Sequence, residues 1–182
     1  MPHDSANGNA VGVTGLLHFS VTVSDVERSV RFYRDVLGME VCWCKAGGKP
    51  TCIREENQSY VAGVTGYPNA HLKIAMLRHG QAMLELVEYV EPRASGIGPG
   101  THRPGSPHIA FTVANIDEAW NVLQTQRKQW GLSFAGNGPV LVDRGPNTGG
   151  HAFYFRDPDG IAIEIVEPNT SRTQGRTPEG RS

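Results

Sequence analysis

Residues 18–27 read His-Phe-Ser-Val-Thr-Val-Ser-Asp-Val-Glu, and residues 108–117 repeat the pattern as His-Ile-Ala-Phe-Thr-Val-Ala-Asn-Ile-Asp. A second phrase also occurs twice, as Leu-Glu-Leu-Val-Glu at residues 84–88 and as Ile-Glu-Ile-Val-Glu at residues 163–167. Because chance would have to produce both phrases twice in the same order, the chain contains an internal repeat. Each copy begins with a histidine-led segment and ends with a segment that has a central glutamate.

The first copy has the hydrophobic pattern of a strand followed by a helix. Residues 17–23 alternate between large apolar and smaller polar side chains, which is the period of a β-strand. Ser24 and Glu27 have the spacing of a capping box, which predicts a helix over residues 26–37 that ends at Gly38. Further strands are predicted at residues 39–44, 71–78 and 82–89, so the copy is a β-α-β-β-β module.

The second copy follows the same order. A strand is predicted at residues 107–113, a helix begins after Asn115, and strands follow near residues 140–143, 151–156 and 161–166. Residues 157–160 read Asp-Pro-Asp-Gly, which is typical of a tight turn, and we interpret them as a structural turn that does not bind metal. The sequence therefore predicts an α+β fold with two paired βαβββ modules that form a curved sheet around a cleft.

Composition places the boundaries of these modules. The first module is predicted at residues 14–90 and the second at 107–167, and they are joined by a linker rich in proline and glycine at 91–106. Polar tails are predicted at residues 1–13 and 168–182. His18 and Glu85 are 67 positions apart, whereas His108 and Glu164 are 56 apart, and the excess fits an insertion at residues 45–70. We expect this insertion to form a long loop or a short covering helix.

Bulk properties exclude several classes of function. The 182 residues include 17 basic and 18 acidic side chains, so no positive field attracts nucleic acid or an anionic membrane. The N-terminal residues lack an apolar run of signal-peptide length, and no segment has the length of a membrane span. The three cysteines, Cys42, Cys44 and Cys52, are clustered and odd in number, which argues against a disulfide framework and predicts a cytoplasmic location.

Strand register groups four ionisable residues as candidate metal ligands. In each strand, His18, Glu85, His108 or Glu164 lies on the face opposite the large apolar side chains. A single strand histidine is more often a hydrogen-bonded structural residue, and a glutamate flanked by leucines is usually an exposed edge residue. The repetition of both types at equivalent places favours ligands instead, and two neighbouring buried carboxylates would repel each other without a cation between them. We therefore expect all four to converge on one divalent cation.

The chain resembles the vicinal oxygen chelate superfamily, which includes glyoxalase I, methylmalonyl-CoA epimerase, extradiol ring-cleaving dioxygenases and antibiotic-resistance proteins. The resemblance covers roughly residues 14–167. The matching segments are the His18 strand, residues 29–39 (Ser-Val-Arg-Phe-Tyr-Arg-Asp-Val-Leu-Gly-Met), the His108 strand with Asp117 beyond it, and residues 154–164 (Tyr-Phe-Arg-Asp-Pro-Asp-Gly-Ile-Ala-Ile-Glu). It implies paired βαβββ modules, and one divalent metal held at the positions of His18, Glu85, His108 and Glu164.

Occupation of all four ligand positions is similar to glyoxalase I. Two imidazoles and two carboxylates suit Ni²⁺, Co²⁺, Zn²⁺, Mn²⁺ or Fe²⁺. The resemblance implies a metal-dependent lyase or isomerase that acts on a small oxygenated substrate through a metal-bound enediolate, with Glu164 as ligand and general base and Glu85 as the next catalytic candidate. The alternatives are an extradiol-type dioxygenase, whose pattern lacks the carboxylate matching Glu85, and a metal-free antibiotic-binding protein, which usually lacks these ligands.

The chain also departs from its relatives. Where the glutathione-using members have Asn four residues after the first metal glutamate, this chain has Tyr89, and the epimerases usually have Gln at the position of Glu85. Glu55 and Glu56 lie in the region of a second epimerase base. Other polar strand residues are interpreted as surface or packing residues: His71, Lys73, Arg78, His151 and Tyr154.

The resemblance and the unpaired sheet edges together predict a homodimer. The sequence identifies no substrate-binding residue. It leaves open the substrate, the native metal, the use of glutathione or O₂, and the role of residues 45–70.

Overall fold

The computed structural model describes residues 10–46, 49–96, 98 and 100–169. Residues 1–9 and 170–182, which make up most of the two predicted tails, lie outside the described residues. No helix among the described residues is long and apolar enough to cross a membrane.

The first module contains the predicted β-α-β-β-β elements and four further elements between its second and third main strands. Its elements in chain order are β1 (Phe19–Thr22), α1 (Val26–Asp35), β2 (Glu40–Cys42), β3 (Cys44–Ala46), β4 (Lys49–Thr51), β5 (Arg54–Glu56), α2 (Ser59–Thr65), β6 (His71–His79) and β7 (Ala82–Glu91). The expected insertion thus contains the covering helix that was one of its two predicted forms, together with short strands.

The second module has the same plan in a shorter form. Its elements are β8 (His108–Thr112), α3 (Ile116–Trp130), β9 (Ser133–Phe134), β10 (Val140–Leu141), β11 (His151–Arg156) and β12 (Ala162–Glu167). The sequence did not predict β9, which has two residues.

Each module forms a five-stranded sheet with its histidine-led strand at one edge. The first sheet has the order β1-β7-β6-β2, with β5 also pairing with β6. The second has the order β10-β11-β12-β8, with β9 also pairing with β11, and β3 and β4 form a separate pair. β1 is parallel to β7, and β8 is parallel to β12. The predicted α+β class with two repeated modules is confirmed.

The start of α1 corrects one prediction. Ser24 does not cap the helix; Asp25 does, by accepting a hydrogen bond of 2.9 Å from the amide of Arg28. Ser24 donates its hydroxyl proton to Asp159 of the second module instead. The helix ends at Asp35, two residues before the predicted end. In α3, Asn115 caps the helix as predicted and accepts from the amide of Glu118 at 3.0 Å.

The last glutamate of each repeated phrase has a structural role that the sequence analysis missed. Glu88 accepts a hydrogen bond of 3.0 Å from the amide of Val26, and Glu167 accepts one of 2.7 Å from the amide of Ile116. Both carboxylates therefore lie at the first turn of their module's helix, where unsatisfied amides and the positive end of the helix dipole favour negative charge.

The helix-covered faces of both sheets share one hydrophobic core. Leu84 and Leu86 from β7 belong to the same buried cluster as Ile163 and Ile165 from β12. In this cluster the ring of Phe32 on α1 lies 5.5 Å from that of Trp130 and 6.4 Å from that of Phe155, measured between centroids. The two modules are consequently packed against each other and do not fold as separate cores.

The turn at residues 157–160 forms as predicted and also joins the modules. The amide of Gly160 donates to the carbonyl of Asp157 at 3.0 Å. Asp159 accepts hydrogen bonds from Ser24, Arg28 and Ser29 at the start of α1. The buried carboxylate of Asp157 accepts from the Tyr33 hydroxyl at 2.9 Å. The hairpin of the second module is thereby fixed to the first helix of the chain.

Candidate metal centre

In the first module, the parallel pairing of β1 and β7 brings His18 to Glu85. Ser20 is the register partner of Glu85, and His18 lies two residues earlier, on the same face of the sheet. His18 Nε2 is 3.4 Å from Glu85 Oε2, and the two side chains are 29% and 19% exposed. This pair is accessible enough to take a ligand and is sufficiently enclosed to position it.

The second module builds the equivalent pair. β8 and β12 are parallel, with Ala110 as the register partner of Glu164. His108 Nε2 is 3.2 Å from Glu164 Oε2, and the side chains are 42% and 20% exposed. The repeated phrases of the sequence therefore correspond to two repeated imidazole–carboxylate pairs.

Burial of the flanking residues explains why these carboxylates point outward. Leu84 and Leu86 on either side of Glu85 are buried in the shared core, as are Ile163 and Ile165 on either side of Glu164. Since successive strand residues point to opposite faces, each glutamate must face away from that core.

Tyr154, interpreted from sequence as a surface or packing residue, lies beside the second imidazole–carboxylate pair. It is the cross-strand partner of Glu164, and its hydroxyl lies 3.4 Å from His108 Nε2. Burial, the nearby negative charge of Glu164 and a hydrogen bond to that carboxylate raise the pKa of Tyr154 to about 12. The hydroxyl stays protonated at neutral pH and can donate to Glu164. Its signal in the sequence was the turn at residues 157–160, which makes residues 154 and 164 partners in a hairpin.

The two pairs do not meet within the chain. Among the described residues, no group of three or more His, Cys, Asp or Glu side chains could hold a metal ion. The expected convergence of all four ligand candidates is therefore not found within the described part of a single chain. Whether these four residues bind metal stays a prediction.

The residues near the pairs lie on an uncovered edge. In the described sheets, β1 and β8 each pair on one side only. Apolar side chains at the start of the first edge are strongly exposed: Leu16, Leu17 and Phe19 are 73%, 81% and 63% accessible. Exposed apolar residues on a free strand edge are typical of a surface that another chain covers.

Nearly the whole described part of the chain matches a known protein family. A family model described as the Glyoxalase/Bleomycin resistance protein/Dioxygenase superfamily matches residues 15–165. The chain belongs to this superfamily. The resemblance inferred from the repeats is thus confirmed.

Individual relatives of this superfamily member are distant. A 2-epi-5-epi-valiolone epimerase from an Actinomyces species is 29% identical over 157 residues, which are 85% of this chain and 80% of that protein. A lactoylglutathione lyase from Haemophilus influenzae is 26% identical over 160 residues, covering 87% of this chain and 96% of the other. A crystal structure of a glyoxalase family protein from Bacillus cereus has the same fold, with a TM-score of 0.67, 21% identity, and coverage of 86% and 95%.

Other polar residues of this superfamily member have partners away from the pairs. His71 lies 3.2 Å from Glu55, whose side chain is 59% exposed, and Arg78 lies 2.6 Å from Glu40. Glu56 accepts a hydrogen bond from Tyr60 and pairs with Arg54. These contacts occupy both glutamates in the region of a second epimerase base.

Proposed function

We propose that this superfamily member is a divalent-metal-dependent lyase or isomerase that moves a proton on the carbon next to a carbonyl group of a small oxygenated substrate. The observation that carries the proposal is the repetition of one imidazole–carboxylate pair, at 3.4 Å and 3.2 Å, on equivalent strands of both modules. In both modules the histidine has a glutamate as its partner, and that glutamate is 19% or 20% exposed.

The donor set fits a divalent metal. His18, Glu85, His108 and Glu164 supply two imidazole nitrogens and two carboxylates, which suit Ni²⁺, Co²⁺, Zn²⁺, Mn²⁺ or Fe²⁺. In the described part of the chain, neither glutamate has an ion pair with Lys or Arg that would compete with a cation. A bound metal of this kind would act as a Lewis acid toward vicinal oxygens of the substrate.

We further propose that the four ligands meet in a homodimer. The His18–Glu85 pair of one protomer would face the His108–Glu164 pair of its partner, because both pairs lie beside free strand edges and point away from the shared core. Pairing of the β1 and β8 edges would also cover Leu16, Leu17 and Phe19.

Glu164 is proposed as the proton carrier. One oxygen of a carboxylate can bind a cation while the other removes the proton α to the carbonyl and returns it to the neighbouring carbon. For an epimerisation, a second acid such as Glu85 would have to protonate the opposite face of the carbon. The Tyr154 hydroxyl, protonated at neutral pH, would hold the carboxylate in place and stabilise its negative charge. Glu85 is the second candidate for the base.

An epimerisation and a glyoxalase reaction both begin with this proton transfer. The similarity to a 2-epi-5-epi-valiolone epimerase and that to a lactoylglutathione lyase therefore support the same step. Cys42 and Cys52 of the cysteine cluster are free. Because free cysteines are typical of a reducing compartment, we also propose a cytoplasmic location.

Elemental analysis of the protein as purified, followed by proton–deuterium exchange of α-hydroxyketones in D₂O, tests the proposal. We expect stoichiometric metal and exchange that a chelator abolishes. Oxygen uptake with catechols in place of exchange would favour a ring-cleaving dioxygenase, and absence of metal from active protein would refute metal dependence.

Mixing two inactive variants tests the shared centre. His18→Ala and Glu164→Ala are each expected to be inactive alone. A mixed dimer would contain one centre with all four ligands intact, so exchange of subunits should restore about a quarter of the wild-type rate. If the centre lay within one chain, mixing would restore nothing.

A further inference from the structure

The inserted helix α2 covers part of the sheet face that carries Glu85. Val61 is buried against Leu72 and Val87, which face the opposite side of the sheet from the shared core. Beside this contact lies a cavity of about 260 Å³ with Glu85 in its wall, and four of the seven α2 residues line it. The helix is thus placed to restrict what can approach that glutamate.

We propose that α2 selects the substrate, by limiting the space beside Glu85 to a small uncharged molecule that carries several hydroxyl groups. A thiol-peptide adduct such as a glutathione hemithioacetal would be excluded. The inference rests on the proposed function, because it assumes that the substrate binds next to Glu85.

The cavity beside Glu85 is small. The cavity of about 260 Å³ is smaller than the roughly 300–1,000 Å³ that is typical of sites for drug-sized ligands. A glutathione hemithioacetal carries a whole tripeptide besides its reacting carbons. Most of that tripeptide would have to remain outside the cavity. A single six-membered ring with its substituents is of the right order.

Charge is the second argument. The described residues that line the cavity include no Lys or Arg, and Glu85 is their one carboxylate. Arg54 on β5 is paired with Glu56 at 3.4 Å and is not free to bind an anion. A glutathione adduct would bring two further carboxylates to a cavity whose described lining offers no Lys or Arg to pair with them, which is unfavourable.

The hydroxyl groups of the cavity indicate what it would accept. Ser20 and Thr22 from β1, Tyr60 and Thr65 from α2, and Tyr89 from β7 all line it, between apolar side chains. Tyr60 and Thr65 donate their own protons to Glu56 and to the Val61 carbonyl, so toward a ligand they can only accept. The hydroxyls of Ser20, Thr22 and Tyr89 can donate and accept, and the set as a whole matches the hydroxyl groups of a polyhydroxylated ketone. The apolar side chains between them match the C–H faces of its ring. Tyr89, at the position of an Asn in glutathione-using relatives, is therefore part of a neutral, hydroxyl-binding wall.

Binding calorimetry on the purified metal-loaded protein tests this without turnover. The probes are a pentahydroxycyclohexanone, as a neutral polyhydroxylated ketone, and S-methylglutathione, as the charged peptide. We expect saturable binding of the ketone and none of the peptide at the same concentrations. Binding of S-methylglutathione as tight as that of the ketone would overturn the inference.

A matched pair of variants tests the role of α2. Val64 lines the cavity mouth and is 79% exposed, so Val64→Trp narrows the mouth without entering a core. Ser59 lies on the same helix, is also exposed and does not line the cavity, so Ser59→Trp is the control. We expect Val64→Trp to weaken ketone binding about tenfold or more and Ser59→Trp to leave it unchanged, with equal melting temperatures. Equal affinities for both variants would contradict the assignment.

Exchange rates separate the two proposals. Hemithioacetals of methylglyoxal with 2-mercaptoethanol and with glutathione present the same reacting carbons on a small neutral thiol and on a charged peptide thiol. Preference for the mercaptoethanol adduct supports the inference. Faster exchange with the glutathione adduct would refute substrate selection while the proposed function stands. If neither adduct undergoes exchange while ketone binding still depends on Val64, the proposed function is refuted and substrate selection by α2 is not.

Discussion

The substitution Asp157→Asn changes a buried carboxylate that connects the second module to α1. Its side chain is 2% exposed, and burial raises its pKa from 3.8 to about 6, although hydrogen bonds from Ile161, Tyr33 and the amide of Asp159 act in the opposite direction. The folded protein thus binds the Asp157 proton more tightly than the unfolded chain does. The free energy of unfolding that this group contributes is highest below pH 3.8 and falls as the pH rises toward 6.

The size of the effect follows from the shift. About two pKa units correspond to about 3 kcal/mol of unfolding free energy, lost between pH 4 and pH 6 and absent at pH 7. Asparagine can keep the contacts, since its carbonyl oxygen accepts from the amides of Asp159 and Ile161 and its amide group can donate to the Tyr33 oxygen. We therefore expect Asp157→Asn to be up to about 3 kcal/mol more stable than the wild type at pH 7, with little difference at pH 4.

Urea unfolding at several pH values between 4 and 8 measures this difference directly. Asp159→Asn is the matched control on the same turn. Burial acts on Asp159 as well, but hydrogen bonds from Ser24 and the charge of Arg28 outweigh it and lower its pKa, so its contribution is present at neutral pH and lost on acidification. The two variants should thus show opposite pH dependence. A stability difference between Asp157→Asn and the wild type that is constant with pH would refute the reasoning.

Three further substitutions have defined outcomes. Glu164→Gln should keep the fold and part of the metal but lose turnover by several orders of magnitude, since an amide oxygen can coordinate a metal but cannot carry a proton. Metal content and turnover rate are measured on the same preparation. Near-normal turnover would assign the role of the base to Glu85. Tyr154→Phe should lower kcat about tenfold to a hundredfold by removing a hydrogen bond to a charged carboxylate, with an unchanged melting temperature, and an unchanged kcat would contradict its role. Phe155→Ala should destabilise the protein by about 3–5 kcal/mol in urea unfolding, because the ring is 1% exposed in the core that both modules share; a loss below 1 kcal/mol would show that the modules do not depend on that core.

The repeated phrases were sufficient to predict the modules and the faces of their strands. A strand has a side-chain period of two, so the burial of Leu84 and Leu86 determines the direction of Glu85 without any knowledge of the fold. The same reasoning holds for Glu164. The grouping of each histidine with its glutamate on one face of a sheet therefore follows from sequence. The strand register does not identify which residues of another element face that pair.

The wrong and the missed predictions concern positions where contacts with residues distant in sequence decide between local alternatives. Ser24 and Asp25 are both good cap residues, and the sequence favoured Ser24 because of its spacing from Glu27. In the structure, Asp159 binds the hydroxyl of Ser24, which leaves Asp25 to cap the helix. Likewise, Glu88 and Glu167 accept from helix amides that lie 62 and 51 positions earlier in the chain, which no local pattern reveals.

The separation of the two pairs follows from how the modules are joined. The apolar residues that flank Glu85 and Glu164 are buried in one common core, and the turn at residues 157–160 is hydrogen-bonded to α1 on that side of the molecule. The faces that carry the histidines and glutamates are therefore the sides of the two sheets that are turned away from this core. If four ligands are to surround one cation, a second chain has to bring the complementary pair. The intramolecular contacts of Asp157 and Asp159 hold α1 and the second module in this arrangement, and the intermolecular centre that we propose depends on it.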